Sequence, residues 1–131
     1  MFIDASAIIA IIGNEDDALS LSARLAQASA IYISPVVTYE AVTGLARKRA
    51  CPIDVAEELV EAFIEETQAT ILDITASVGK EAIKASGRYG RGRHRADLNM
   101  GDCFAYACAK ANNLPLLFKG NDFPHTDIEV A

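Results

Sequence analysis

The apolar positions of this chain fall into short runs and helical stripes that alternate along its length. Met1 to Ile3 is a short apolar run; after Asp4-Ala5-Ser6 a second one, Ala7 to Ile12, is closed by Gly13-Asn14. A strand followed by a short helix fits that pattern. From Glu15 to Ala28, the apolar residues Ala18, Leu21, Leu25 and Ala28 recur at helical spacing behind acids that favour the positive end of a helix. Ala30 to Ile33 reads as a strand. Ser34-Pro35 then supplies an N-cap and a proline at the first helical position, predicting a helix to Arg49 with Glu40 in its second turn. Pro52 opens another helix, with Val55, Leu59, Val60, Phe63 and Ile64 as its apolar stripe and glutamates opposite.

The second half repeats the alternation. Thr70 to Ile74 is a strand candidate, and Thr75 caps a helix that runs toward Tyr89. Gly87 to Arg95 is too rich in glycine and arginine for a core element, so it predicts a helix end and a mobile loop. Asn99 or Gly101 begins a helix from Asp102 to about Ala111, which Asn112-Asn113 ends. Leu114 to Phe118 reads as a buried strand, Lys119 to Asp122 as a turn, and Asp127 to Val130 as a last edge strand. Strands separated by helices imply an α/β fold with a largely parallel sheet covered on both faces. At 131 residues the chain fits one domain, 1–131.

Composition narrows the setting. No apolar run approaches the ~20 residues that cross a bilayer. The start, MFIDASAIIAIIG, lacks a basic segment and carries Asp4, which argues against a signal peptide. Cys51, Cys103 and Cys108 form no CxxC pair, and their odd number suits reduced thiols in a cytoplasm. The formal net charge of −6 looks unsuited to nucleic acid, yet the charges segregate. Six of the 12 Lys and Arg residues lie between Lys80 and Arg95, three more form Arg47-Lys48-Arg49, and acids cluster from Asp54 to Glu66. Because attraction is screened beyond a Debye length of ~8–10 Å, a local basic surface can hold phosphate on an acidic molecule.

Four acids interrupt the pattern. Asp4 and Asp122 follow apolar strands, Glu40 lies just inside the helix after the second strand, and Asp102 opens the helix before the fourth. In a doubly wound sheet such positions can converge where strand order reverses, although spacing alone does not fix their order in space. Oxygen donors without His/Cys spacing point to a hard cation, Mg²⁺ or Mn²⁺, rather than structural zinc. Water acidified by such a cation is a nucleophile for phosphorus, making phosphodiester hydrolysis the natural chemistry. Singly, each acid also reads as a turn residue, a solvated helix position or a dipole-favoured first-turn acid.

Four segments carry a resemblance: Phe2-Ile3-Asp4-Ala5-Ser6-Ala7, Thr38-Tyr39-Glu40, the run Leu98 to Ala107 containing GDCFAYA, and Leu116 to Phe123, LLFKGNDF. In order and spacing they resemble the motifs of PIN-domain ribonucleases, and more narrowly the VapC toxins of bacterial toxin–antitoxin pairs. The resemblance implies a three-layer α/β/α PIN-like fold with a mainly parallel four- to five-stranded sheet. It also implies a magnesium-dependent endoribonuclease that inhibits translation and growth, with manganese as a substitute ion. Asp4 and Asp102 would be the principal metal ligands, Glu40 would complete the shell or orient the attacking water, and Asp122 would hold a second metal or an outer water. Ser6 matches the small hydroxyl residue beside the first acid, where it would bond that carboxylate or a phosphate; capping the short helix is its simpler role. Asp97 stays outside the site, because many members of the family it resembles carry an uncharged residue there.

The family reading also implies a VapB-type antitoxin covering the site, and a homodimer. Val36, Val37, Val42 and Leu45 could face such a partner or the core. Arg88, Arg91, Arg93, His94 and Arg95 would contact the RNA backbone, with Tyr89 as a stacking surface; a merely solvated loop is the plainer reading. Lys119 either contacts a phosphate or pairs with a site carboxylate, or simply snorkels at the strand end. Two rivals stand beside the nuclease. A receiver-like or phosphatase-like domain also binds magnesium at strand ends, but Asp73 reads as internal to its strand and no DxDx(T/V) motif occurs. A catalytically silent RNA- or antitoxin-binding module is the other, against which the presence of all four acids argues.

Overall fold

Four very short strands hydrogen-bond side by side, all parallel, in the computed structural model, which describes residues 1–131. They are β1 (Phe2–Ile3), β2 (Tyr32–Ile33), β3 (Thr70–Ile71) and β4 (Leu116–Leu117), in the order β3-β2-β1-β4. Six helices connect them: α1 (Ala5–Ile12), α2 (Ala18–Ala26), α3 (Pro35–Arg49), α4 (Ile53–Thr67), α5 (Ala76–Tyr89) and α6 (Met100–Ala111). Because crossovers between parallel strands are right-handed as a rule, the strand order implies α1 to α4 on one face and, on the return path from β3 to β4, α5 and α6 on the other. The packing agrees: α1 meets α2, α3 and α4, while α5 packs on α6. The result is the α/β architecture that the sequence pattern implies.

The central strands are sealed on both sides. Phe2, Ile3, Ile33, Leu116 and Leu117 are fully buried within one core cluster of 34 residues. That is why these strands read as continuous apolar runs rather than alternating ones. Val37, Val42 and Leu45 belong to this core, which settles their role; Val36 is half-buried. The caps follow the sequence too. Ser34 Oγ accepts from the Val37 amide and Thr75 Oγ1 from the Val78 amide, each at 3.2 Å.

Several expectations shift. The helix read from Glu15 begins only at Ala18, because Asp16 and Asp17 form a turn before it. In α4, Val55 is exposed and Ala56 takes its place, because a helix starting at Ile53 phases Ala56, Val60 and Phe63 onto one buried face. The expected edge strand Asp127–Val130 reduces to one parallel bridge, Leu116 with Val130. Strand β3 ends at Ile71, so Asp73 lies beyond the strand and is exposed rather than internal. The receiver reading fails on topology instead: here β1 sits between β2 and β4, whereas a receiver-like sheet places β1 between β2 and β3.

The arginine-rich loop is anchored. The Arg91 amide donates to Leu98 O and the Leu98 amide to Tyr89 O, both at 3.0 Å, and Ala96 and Leu98 are buried. Tyr89 is also buried, edge-on to His94 and tilted against Tyr106, so it offers no free ring for stacking. Cys51, Cys103 and Cys108 are free thiols. No helix is long and apolar enough to cross a membrane.

Candidate active site

Strand order reverses between β1 and β4, and the chain leaves both strands there at their carboxyl ends. Asp4 follows β1 and caps α1; Asp122 follows β4 and precedes a 3-10 turn, Phe123–His125. Glu40 approaches from α3 and Asp102 from the first turn of α6. The crevice at a topological switch point is where such sheets bind ligands. All four acids predicted from the sequence are brought into one electrostatic neighbourhood.

Asp4 is 4% exposed. Its Oδ2 accepts from the Ser6 amide at 3.0 Å and from Ser6 Oγ at 2.5 Å. Ser6 Oγ in turn accepts from the Lys119 amide at 3.0 Å, so one hydroxyl ties the acid after β1 to the chain after β4. Burial raises the Asp4 pKa, the Ser6 bonds oppose that rise, and the charge of Asp122 adds to it.

Glu40 is pushed up to about 7, first by burial and then by the charges of Asp4 and Asp102. Asp102 rises to about 6 for the same leading reason, with Asp4 and Asp122 adding to it while the Asn99 amide and Arg91 pull it down. Asp102 is also held by a capping box: Asn99 Oδ1 accepts from the Asp102 amide at 2.9 Å, and Asp102 Oδ2 accepts from the Asn99 amide at 3.1 Å. Asp122 is exposed and makes no cap bond of its own, leaving its carboxylate free to turn inward.

These acids share a field without closing into a ready-made cage of three or more ligands. Each keeps a local partner, Ser6 for Asp4 and Asn99 for Asp102. The donor set fits a hard divalent cation. It is all oxygen, two of its members are raised by burial and then by neighbouring acids to about 7 and about 6, and a cation would offset both causes.

The basic residues divide. Arg91 lies close enough to Asp102 to lower its pKa and reaches Asp97 at 3.8 Å, while Arg93 and Arg95 are exposed on the same loop. Asp97, at φ 52°, therefore pairs with the loop and not with the acids. Arg88 departs from expectation, because its guanidinium bonds Tyr89 Oη at 3.1 Å and influences Asp127 on another face. Lys119 also departs: its ammonium is claimed by Glu15 at 2.5 Å and Asp17 at 3.3 Å.

Two contributors escaped the sequence reading. Gly101 leaves the space that the Glu40 carboxylate fills. Its signal was a glycine beside the helix-opening acid. Glu15 gathers Lys48 at 2.6 Å and Lys119, a pairing across distant segments that no local pattern announces.

Comparison with known proteins agrees with this geometry. The PIN domain family model matches residues 1–129. A VapC ribonuclease of Rhizobium meliloti (strain 1021) is 41% identical over 97% of this chain and 98% of its own length. Among solved structures, Mycobacterium tuberculosis VapC20, described as a sarcin-ricin loop cleaving toxin, superposes with a TM-score of 0.78 at 17% identity, covering 99% of this chain and 97% of that one. A toxin–antitoxin complex from Klebsiella pneumoniae gives 0.71 at 18% identity, covering 99% and 95%. With a full-length family match and a 41% identical relative, this chain belongs to the PIN-domain family, among its VapC ribonucleases.

Proposed function

We propose that the chain, as a single PIN domain over 1–131, is a magnesium-dependent endoribonuclease toxin acting on cytoplasmic RNA and thereby inhibiting translation and growth. The observation that carries this is the mutual coupling of Asp4, Glu40, Asp102 and Asp122 at the sheet's switch point. Asp4 and Asp102 would hold the cation, with Glu40 and Asp122 completing its surroundings; manganese, which takes similar oxygen ligands, would substitute. When bound, the cation neutralises phosphate charge and acidifies water.

The chain's own groups do the rest. Ser6 keeps the Asp4 carboxylate oriented. Glu40, pushed up to about 7, is matched to take a proton from an attacking water near neutral pH. Arg91, Arg93 and Arg95 line a loop able to hold the RNA backbone through charge-assisted bonds. Arg88 and Lys119 are engaged elsewhere, so a phosphate contact from either needs an existing interaction to break.

An acidic crevice of this kind also suits a VapB-type antitoxin, whose basic side chain would compete with the cation; the toxin–antitoxin complex among the structural neighbours supports that partner. A homodimer is the expected assembly of the toxin. The test is direct. Purified chain should cut RNA in Mg²⁺ or Mn²⁺ and not in EDTA, and Asp4→Asn or Asp102→Asn should lose about 100-fold or more while keeping a cooperative melt. Full cleavage by both variants would exclude this site.

A further inference from the structure

Beside the acids, between α5 and α6, lies a groove of about 390 Å³ that the cleavage chemistry does not use. Its walls are apolar: Ile83 from α5, Met100 and Phe104 from α6, and Leu98 from the loop between them. Ile83 and Met100 are 73% and 71% exposed, unusual for large apolar side chains. Arg91 and Arg93 also line it. The groove and the acid cluster share one helix start, since Asn99 lines the groove while its amide and side chain hold Asp102.

We propose that this groove receives the nucleobase next to the scissile phosphate, so that cleavage depends on which base stands there. The inference rests on the ribonuclease reading. A nucleotide joins a flat apolar base to an anionic phosphate, and the groove presents the matching pair, an apolar slot with guanidiniums beside it. Its volume falls within the ~300–1,000 Å³ of small-ligand sites. Methionine sulfur and the Phe104 ring are suited to a π-face, and both adapt to more than one base.

Charge favours RNA over a protein occupant. An antitoxin segment that neutralises the acids must be basic, and it would meet Arg91 and Arg93 with like charge. A nucleotide satisfies both surfaces at once.

The chain contains two methionines, Met1 and Met100, so carbon-13 labelling of their methyl groups reports on the groove without requiring turnover. Titration of the intact chain with a short oligoribonucleotide should move the Met100 signal, identified by its absence in Met100→Ala. An oligonucleotide of equal length and charge, abasic beside the cut site, should leave it in place. In cleavage assays, that abasic residue should lower kcat/KM about tenfold for the unmodified chain, as expected for loss of one stacked base. Met100→Ala and Ile83→Ala should lower kcat/KM on intact RNA and shrink the abasic penalty. RNA cleaved equally well with and without the flanking base, with a static Met100 signal, overturns the groove and leaves the nuclease standing. A Met100 signal that moves with the base although no RNA is cut supports the groove and removes the nuclease. A signal that moves with protein concentration alone, or only with an antitoxin, assigns the groove to a protein and overturns the proposal.

Discussion

The Glu40 carboxylate occupies the space that a side chain at position 101 would fill: a Cβ built on Gly101 collides with it. Here α3 and α6 meet, and the missing side chain at the second residue of α6 lets an acid from α3 lie against the helix start that carries Asp102. That placement brings Glu40 into the field of Asp102, and the charge of Asp4 adds to the burial that raises the pKa of both.

Gly101→Ala should therefore act on the site more than on the fold. Position 101 has no positive φ, so alanine fits the backbone, and its helix propensity exceeds that of glycine by up to ~1 kcal/mol. Glu40 must swing away. Cleavage should fall by as much as about 100-fold, the scale expected for a misplacement near 1 Å, with a melting temperature close to that of the unmodified chain. Undiminished cleavage would show that Glu40 acts from another position.

The acids also set a pH dependence of stability. Glu40 and Asp102 hold protons more tightly in the folded state, at about 7 and about 6, than in an unfolded chain. Their contribution is fully present below the ordinary carboxylate range and is lost as pH rises through those values. Glu15 and Asp127 are shifted the other way, so their contribution is fully present above the ordinary carboxylate range and is lost only as pH falls below it. In metal-free buffer the melting temperature should fall between pH 5 and pH 7.5 on this account, whereas saturating Mg²⁺ should reverse much of the fall by binding the ionised acids. A melting temperature indifferent to metal at pH 7.5 would contradict a cation site.

Ser6→Ala removes two interactions at once. Asp4 loses a hydroxyl donor and the Lys119 amide loses its acceptor. A net loss of about 1–3 kcal/mol is expected, because the Asp4 carboxylate is buried. Since the Ser6 bonds hold the Asp4 pKa down, metal affinity at pH 6 should suffer more than at pH 8. Chemical denaturation and metal titration at the two pH values would check this; equal affinities would reduce Ser6 to a helix cap.

Replacing Arg91, Arg93 and Arg95 with alanine should weaken RNA binding and flatten its dependence on salt. Each lost contact to single-stranded RNA is worth ~0.7 in the slope of log K against log salt, so about two in all. Lys119→Ala should leave that slope unchanged, because the Lys119 ammonium is already paired with Glu15 and Asp17. A slope that drops equally for Lys119→Ala would return the lysine to the substrate.

Local signals in the chain determined most of the architecture. Continuous apolar runs at Phe2–Ile3, Ile33 and Leu116–Leu117 announced strands buried on both faces, and Ser34-Pro35 and Thr75 marked helix starts because capping chemistry acts within one turn. The four acids were legible for the same reason, as carboxylates at the ends of apolar elements. What the sequence could not carry were relations between distant segments. The glycine that makes room for Glu40, the hydroxyl of Ser6 that reaches the Lys119 amide, and the Glu15 carboxylate that captures Lys119 join positions remote in the chain. The anchoring of the arginine loop belongs with them, since it comes from buried Ala96 and Leu98 and from the backbone bonds that join Leu98 to Tyr89 and Arg91. Helix caps and apolar periodicity are short-range and repeat in the chain, whereas the electrostatics of a crevice depend on which strands become neighbours, and that order was decided only when β1 packed between β2 and β4.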